Sequence, residues 1–343
     1  MSEHKGSPAH RNEQDMSSEV LRIGAHTFRI GDILPEHAHQ VLQLFNTVFG
    51  HSADAQWYQW KSRDGQLRAV GLWDESGELV AHYAGLPRLL LCQGQPMTAM
   101  QNCDVMVAPH VRGLMTRRGP FFQVCKRFFD TWVGAYRMHD LGFGFPNLRA
   151  MQLGGKLDLY HHGGQIHLLK WAAEQRPLTW RWRWSALPSD TRSRDRDLLA
   201  AWKYMQADFG DCVLGVRDAD YLRWRFLERP DRQYRLFCLR HWWGGTAAIV
   251  VMHLALDEAE LLDVVGARQV MPVAVRAAVN EAARSGGSEL TAWASPAAAA
   301  VLGAEAQRAE SGATLAIAKA SRLTAEEVAS ARWWWLGGDT DFR

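Results

Sequence analysis

The chain has 343 residues, 47% apolar and 22% charged, and its 39 basic and 37 acidic side chains leave a formal charge of +2. Such a composition supplies buried cores and excludes a largely disordered chain, while the near balance of charge gives no electrostatic reason to expect a nucleic acid or an anionic membrane as partner. The length favours two domains of roughly 150 residues each, and five cysteines without a CxxC pair exclude a disulfide framework or zinc knuckle and fit a reducing, cytoplasmic setting.

Residues 1–22 are polar and mixed in charge, lack the apolar stretch of a signal peptide, and read as a disordered tail. No later apolar run reaches the roughly eighteen residues of a spanning helix. Residues 35–49 carry Ala38, Val41, Leu42, Leu44, Phe45 and Val48 at helical spacing, which predicts one buried helix face. A short helix with Trp57, Tyr58 and Trp60 follows, then a strand over 67–73, a turn at Asp74, Glu75, Ser76 and Gly77, and a return strand from Leu79. A strand over 97–107, a helix over 121–136, a strand ending in 142–145 and a helix over 147–153 complete this half.

The same order recurs. Trp57, Tyr58, Gln59, Trp60 and Lys61 have a counterpart in Tyr221, Leu222, Arg223, Trp224 and Arg225. Strands over 234–240, 246–256 and 260–265, a helix over 271–284, a strand over 289–294, a helix over 296–302 and a strand over 313–318 follow in turn. The spacing of about 160 residues is a duplication, far too long for a solenoid repeat. The organisation predicted is a first domain over 23–172, a linker over 173–204 rich in Arg and Trp and holding Pro177, Pro188 and Ser189, a second domain over 205–322, and a Trp-rich tail over 323–343.

The segment DVMVAPHVRG (residues 104–113) resembles the strand and pyrophosphate loop of GNAT acetyltransferases, with Val107, Pro109, Arg112 and Gly113 matching the pattern V-x-P-x-x-R-G-x-G. The segment LGFGFPNLRAMQLGGKL (residues 141–157) resembles the strand and helix that close the GNAT core, and its GFPN tetrapeptide resembles a bacterial tandem branch of that superfamily. The resemblance covers residues 27–170 by motif and 205–320 by element order. It implies a mixed-sheet α/β fold of three layers, with two tandem acyl-CoA N-acyltransferase halves.

Independently of the family, a strand ending at Pro109 and a loop with Arg112, Gly113, Arg117, Arg118 and Gly119 opening onto a helix offer cations and unpaired helix N–H groups to a pyrophosphate. Pro120 suits the first helical turn. Val107, Phe121 and Asn147 complete the expected cofactor set, with Asn147 equally suited to cap the closing helix. The loop departs from the family in placing Met115 and Arg117 where glycines are common, and Gly154 stands where a general-acid tyrosine often sits. Candidates for chemistry are Asp104, which would deprotonate an amine from the central strand, then Tyr160 and His82; each also has a packing role open to it. His161, His162 and His167 lack a neighbouring Cys or carboxylate set, and no metal is expected.

In the second half, residues 263–278 occupy the place of the loop but hold only Gly266, Arg268 and Pro272, so this half is expected to have kept its fold, lost its cofactor loop and walled the acceptor cleft. Trp333, Trp334 and Trp335 either pack between the halves or present an aromatic surface. The resemblance implies acetyl transfer from acetyl-CoA to a primary amine of a small molecule or amino sugar; from charge and hydropathy no nucleic acid and no membrane are expected, and a homodimer is left open. Alternatives are a binding or scaffold protein that keeps the fold without turnover, and an aminoacyl-tRNA-dependent transferase, against which the near-neutral charge argues.

Overall fold

The computed structural model describes residues 18–50, 52–63, 65–113, 119–256 and 258–343. The first half runs β1 (Glu19–Ile23), β2 (His26–Asp32), α1 (Ala38–Phe49), α2 (Ala55–Ser62), β3 (Arg68–Trp73), β4 (Leu79–Cys92), β5 (Gln95–Val107), α3 (Pro120–Trp132), β6 (Leu141–Gly144), α4 (Leu148–Lys156) and β7 (Tyr160–Ala172). The second runs β8 (Trp182–Ala186), α5 (Thr191–Asp208), β9 (Val213–Gly215), α6 (Ala219–Leu222), β10 (Arg235–His241), β11 (Thr246–Leu254), β12 (Ala259–Gly266), α7 (Met271–Arg284), β13 (Glu289–Ala294), α8 (Pro296–Leu302) and β14 (Gln307–Ala318). A closing segment adds α9 (Ala325–Ser330) and β15 (Trp333–Trp334).

Local chemistry repeats with the element order. Asp54 caps α2 by accepting from the Trp57 N–H at 2.8 Å, and Asp218 caps α6 by accepting from Tyr221 at 2.8 Å. Asn147 and Ser295 cap α4 and α8 in the same way. Trp60 and Trp224 meet across the two halves: each indole N–H donates to the other residue's carbonyl, at 2.8 and 3.0 Å, and the rings stack 5.5 Å apart. Such an exchange, residue for residue, is what a local two-fold relation produces.

The halves are not separate sheets. All the strands join one sheet whose main path is β1-β2-β3-β4-β5-β6-β14-β7-β13-β12-β11-β10-β8. The last strand of each half is exchanged: β14 inserts against β6, and β7 pairs with β13. Along β4 the side chains alternate, so Tyr83 packs on Phe128 and Phe129 of α3 while His82 faces the side of α1 and α2. Helices therefore cover both faces of the first half.

Several expectations change here. Residues 19–22, read as part of a tail, belong to β1, which pairs with β2 through Glu19↔Ile30; residues 1–17 lie outside the described ones. The helix expected to reach residue 136 stops at Trp132, because Val133 turns extended to bridge His139 and Gly134 follows at φ 135°. The region read as a linker contains β8 and most of α5, whose Leu198, Ala201, Trp202 and Met205 form a buried face behind a charged first turn. The closing segment packs between the halves: Trp335 stacks on Phe143 at 4.8 Å, and Ser295 Oγ donates to the Trp333 carbonyl at 2.6 Å and accepts from the Trp335 N–H at 3.0 Å.

A buried network fastens this segment. The Arg217 guanidinium lies 2.9 Å from Asp263 and 2.5 Å from Asp339 and donates to the Gly215 carbonyl at 2.8 Å, all three charged groups being fully buried. From the first half, Gln101 Nε2 donates to the Asp339 carbonyl at 2.6 Å, and Arg88 donates to Gln101 at 2.8 Å.

Candidate functional site

Strands β5 and β6 run parallel for three rungs, Ala99↔Leu141 to Gln101↔Phe143, and then part. β5 continues to Val107, and among the described residues no strand pairs with it on that side. At the fork Gly144 lies against Asn102, whose buried Oδ1 has no hydrogen-bond partner among the described residues. On its other edge the ladder with β4 slips between His82 and Ala84, a bulge centred on Asp104, which adopts φ 47°. A left-handed aspartate inside a strand is uncommon and costs free energy unless its surroundings hold it there.

His82 is part of what holds it. Its Nδ1 lies 2.7 Å from the Asp104 carbonyl, which only accepts, so this nitrogen carries the proton. Burial lowers the His82 pKa against the opposing pull of Asp104, leaving a neutral ring whose Nε2 has no partner among the described residues. Two predicted residues, Asp104 and His82, are thus brought together.

The Asp104 carboxylate meets a cation that the sequence reading did not single out. Lys61 Nζ sits 2.5 Å from Asp104 Oδ1 and 3.2 Å from Asp341 Oδ2, and 4.8 Å from the Trp57 ring centroid. Burial alone would push the Lys61 ammonium down, but the two carboxylates outweigh it and hold its pKa above the ordinary value. Asp341 goes the other way: burial raises its pKa, Lys61 opposes, and Asp104 adds repulsion. Cys103 completes a group of possible metal ligands, but burial holds its thiol well above the usual range and the ammonium already lies between the carboxylates. The arrangement suits an ammonium rather than a metal ion.

These groups form the floor of a cleft of about 570 Å³ with Phe45, Phe49, Trp57 and Phe342 among its walls and Asp54 and Arg232 at its mouth. Two carboxylates against one ammonium leave a net negative floor, in a cavity of the size that takes small organic ligands. Lys61 carried no signal of chemistry beyond its place in the repeated segment Trp57–Lys61 on a short helix. Asp341 carried none, since nothing local says that a residue near the end of the chain returns to α2.

The expected cofactor loop is only partly in view. Arg112 is exposed and donates from Nε to the Val107 carbonyl at 2.9 Å. Gly113 is exposed with open space around it. Arg117 and Arg118 lie outside the described residues. Gly119 is the extended N-cap of α3, Pro120 takes the first helical position, and Phe121 is half-buried in the first turn. Asn147 caps α4, its Oδ1 accepting from the Ala150 N–H at 2.9 Å. Helix α3 follows β5 in the chain, and no side chain caps its N-terminus among the described residues.

Tyr160 lies elsewhere, on the α3 face. Its hydroxyl is 3.0 Å from that of Tyr83 and 3.6 Å from Cys125 Sγ, and burial raises the pKa of both phenols well above normal and pushes the thiol up to about 12. A Cβ on Gly154 would fall 2.1 Å from the Tyr160 ring, so this ring fills the space a side chain at 154 would need.

Among the described residues the second half has no equivalent opening. β12 turns through Arg268–Val270 straight into α7. Arg268 is bound to Asp211, and its N–H donates to Asp208 at 3.0 Å. β12 and β13 also part after two rungs, but the 3-10 turn Gly337–Asp339 fills the gap, with Leu336 bridging to Ala294. A Cβ on Gly338 would lie 2.9 Å from the Leu262 carbonyl oxygen.

Residues 30–150 match a family model described as an acetyltransferase (GNAT) domain. No curated protein matches the sequence. A probable N-acyltransferase from Enterococcus faecalis V583 is similar in structure at 13% identity, with a TM-score of 0.62 over 85% of this chain and 72% of that one. A GCN5-related N-acetyltransferase from Kribbella flavida gives 17% identity and a TM-score of 0.58 over 85% and 71%. The Saccharomyces cerevisiae N-myristoyltransferase, solved with myristoyl-CoA and inhibitors, gives 9% and 0.51 over 93% and 86%. The chain has the GNAT N-acyltransferase fold, and the matched residues are those of the half that carries the fork.

Proposed function

We propose that the chain is an acyl-CoA-dependent N-acyltransferase that moves an acetyl group from acetyl-CoA to a primary amine of a small molecule or amino sugar. The observation that carries this reading is the fork: in the half that matches the acetyltransferase domain, β5 outruns β6 and bears a strained carboxylate at the point of parting. The thioester would lie along β5 between the strands, its pyrophosphate on Arg112, Gly113, Arg117, Arg118 and the α3 N-terminus around Gly119, with Val107, Phe121 and Asn147 beside the pantetheine. The amine would enter from the α1–α2 face, as an ammonium on the negative floor formed by Asp104, Lys61 and Asp341.

In this scheme Asp104 or Asp341 removes the ammonium proton, the nitrogen bonds to the thioester carbon, and the carbon–sulfur bond breaks. The CoA sulfur leaves as thiolate and takes a proton from water, since the Tyr160 hydroxyl is buried on the α3 face against Tyr83 and Cys125. His82 acts as a positioning residue, holding the Asp104 backbone in its bulge. Calorimetry with acetyl-CoA on the wild type and on Arg112→Ala with Arg118→Ala tests the cofactor site; equal affinities, or none for either, overturn it. Release of free thiol across an amine panel tests turnover.

A second reading has one observation in its favour: the Asp104 carboxylate is already engaged by the Lys61 ammonium at 2.5 Å. Acetyl-CoA binding without thiol release for any amine would assign a binding or scaffold role instead.

A further inference from the structure

At the free edge of the sheet, two turns meet. The turn before β8 and the β10–β11 turn are joined by the Trp242 N–H donating to the Arg181 carbonyl at 2.8 Å. Together they expose three indoles: Trp180 at 72%, Trp242 at 47% and Trp243 at 64%. Trp180 and Trp242 lie 5.9 Å apart at 56°, Trp242 and Trp243 5.7 Å apart at 86°, and His241 stacks on Trp243 at 4.3 Å with Trp182 behind it. The strand alternates Trp with Arg, so Trp182 and Trp184 face inward while Arg183 points out. Arg181 lies 5.7 Å from the Trp180 ring, and neither Arg181 nor Arg183 has an ion pair among the described residues.

The duplication supplies an internal control. The corresponding β3–β4 hairpin ends in Asp74, Glu75, Ser76 and Gly77, closed by Asp74 accepting from Ser76 and Glu78. A polar, acidic tip therefore serves the fold equally well, and the aromatic tip of the second half answers to something outside it.

We propose that this tip docks the protein on an anionic lipid bilayer surface. Indoles favour the headgroup layer, where the ring is apolar and its N–H finds acceptors, and unpaired arginines add attraction to anionic lipid. The geometry selects against a carbohydrate. The splayed rings share no plane, one face of Trp243 is covered by His241, and residues 178–183 and 241–246 hold no carboxylate or amide to bind hydroxyls. The near-neutral charge of the whole chain does not bear on a local patch, and docking needs no spanning helix, of which there is none among the described residues.

Co-sedimentation with vesicles of phosphatidylcholine containing about a third phosphatidylserine tests this. Wild type is expected to bind these vesicles well above neutral ones and to dissociate as salt rises. Trp242→Ser with Trp243→Ser should lower partitioning at least tenfold, about two decades being available from two buried indoles, and Arg181→Gln and Arg183→Gln about fivefold each. These residues are exposed, so unchanged melting temperatures are expected to confirm folding. No vesicle binding by wild type, or equal binding by the tryptophan variant, overturns the proposal. So does a dimer in solution, or retention on polysaccharide beads, that the tryptophan variant loses while vesicles are ignored.

Discussion

Replacing Lys61 with Met tests whether the floor of the cleft is the balanced charge cluster that the distances describe. Lys61 and Asp104 are almost fully buried and 2.5 Å apart, and Asp341 is only slightly more exposed. Met keeps the length of the stem and its packing on Trp57 but removes the charge. Taking away one partner of a buried pair costs about 3–5 kcal/mol, because the remaining charge stays out of water. Here two carboxylates remain facing each other, so at neutral pH the loss should lie in that range. The Asp341 pKa, already raised by burial, must then rise further, since Lys61 no longer opposes burial and the repulsion from Asp104. An acid raised in the folded state gives stability that is present below its unfolded pKa of about 4 and lost as pH rises through the folded value. The variant should therefore recover stability relative to wild type as pH falls from 7 towards 5. Urea denaturation at several pH values measures this, through a midpoint that moves while the slope does not. A loss under about 1 kcal/mol, or one independent of pH, would refute the buried triad.

Three further outcomes follow from the packing. Arg217→Met leaves Asp263 and Asp339 buried without a cation and should cost about 3–5 kcal/mol by denaturant titration; burial, with Asp339 adding, already raises the Asp263 pKa against Arg217, so this variant too should gain relative to wild type on acidification. Gly154→Ala forces the Tyr160 ring aside and should cost about 1–3 kcal/mol, a loss that Tyr160→Leu in the same background relieves. Gly338→Ala meets the Leu262 backbone, which cannot swing away, and should loosen the closing segment, read as faster proteolysis after Trp335 with a comparable loss of stability.

Where structure follows from local pattern, the sequence was legible. Helix α1 shows its buried Val41 and Leu44 in its spacing, and the turn at Asp74–Gly77 is written in its residues. The duplication was visible because Trp57–Lys61 and Tyr221–Arg225 keep residue types as well as order. What stayed hidden depends on partners far along the chain. No periodicity tells that β7 leaves its own half for β13, or that β14 replaces it beside β6. Helix α5 was missed because its first turn, Thr191–Arg194, is as charged as a linker and its apolar face begins only at Leu198. At the site, Asp104 and His82 were found because strand position and residue type suffice to nominate them. Lys61 and Asp341 were not, since an ordinary lysine on a short helix becomes significant only when a distant aspartate comes to meet it.

The two halves also explain each other. Asp104 and Asp263 occupy corresponding places, each on the strand that leads into a 3-10 turn and the following helix. Each holds a cation of its own half, Lys61 or Arg217, and shares it with an aspartate from the closing segment, Asp341 or Asp339. One position has thus diverged into two uses. In the second half all three groups are sealed, the fork is filled by Gly337–Asp339, and the charge serves to fasten the segment. In the first half the same segment arrives two residues later along its length with Asp341, whose side chain keeps 12% exposure, and the charge faces a cleft. Asp341, unlike Asp339, keeps contact with the cleft, and that difference is what the proposed acceptor site in the first half rests on.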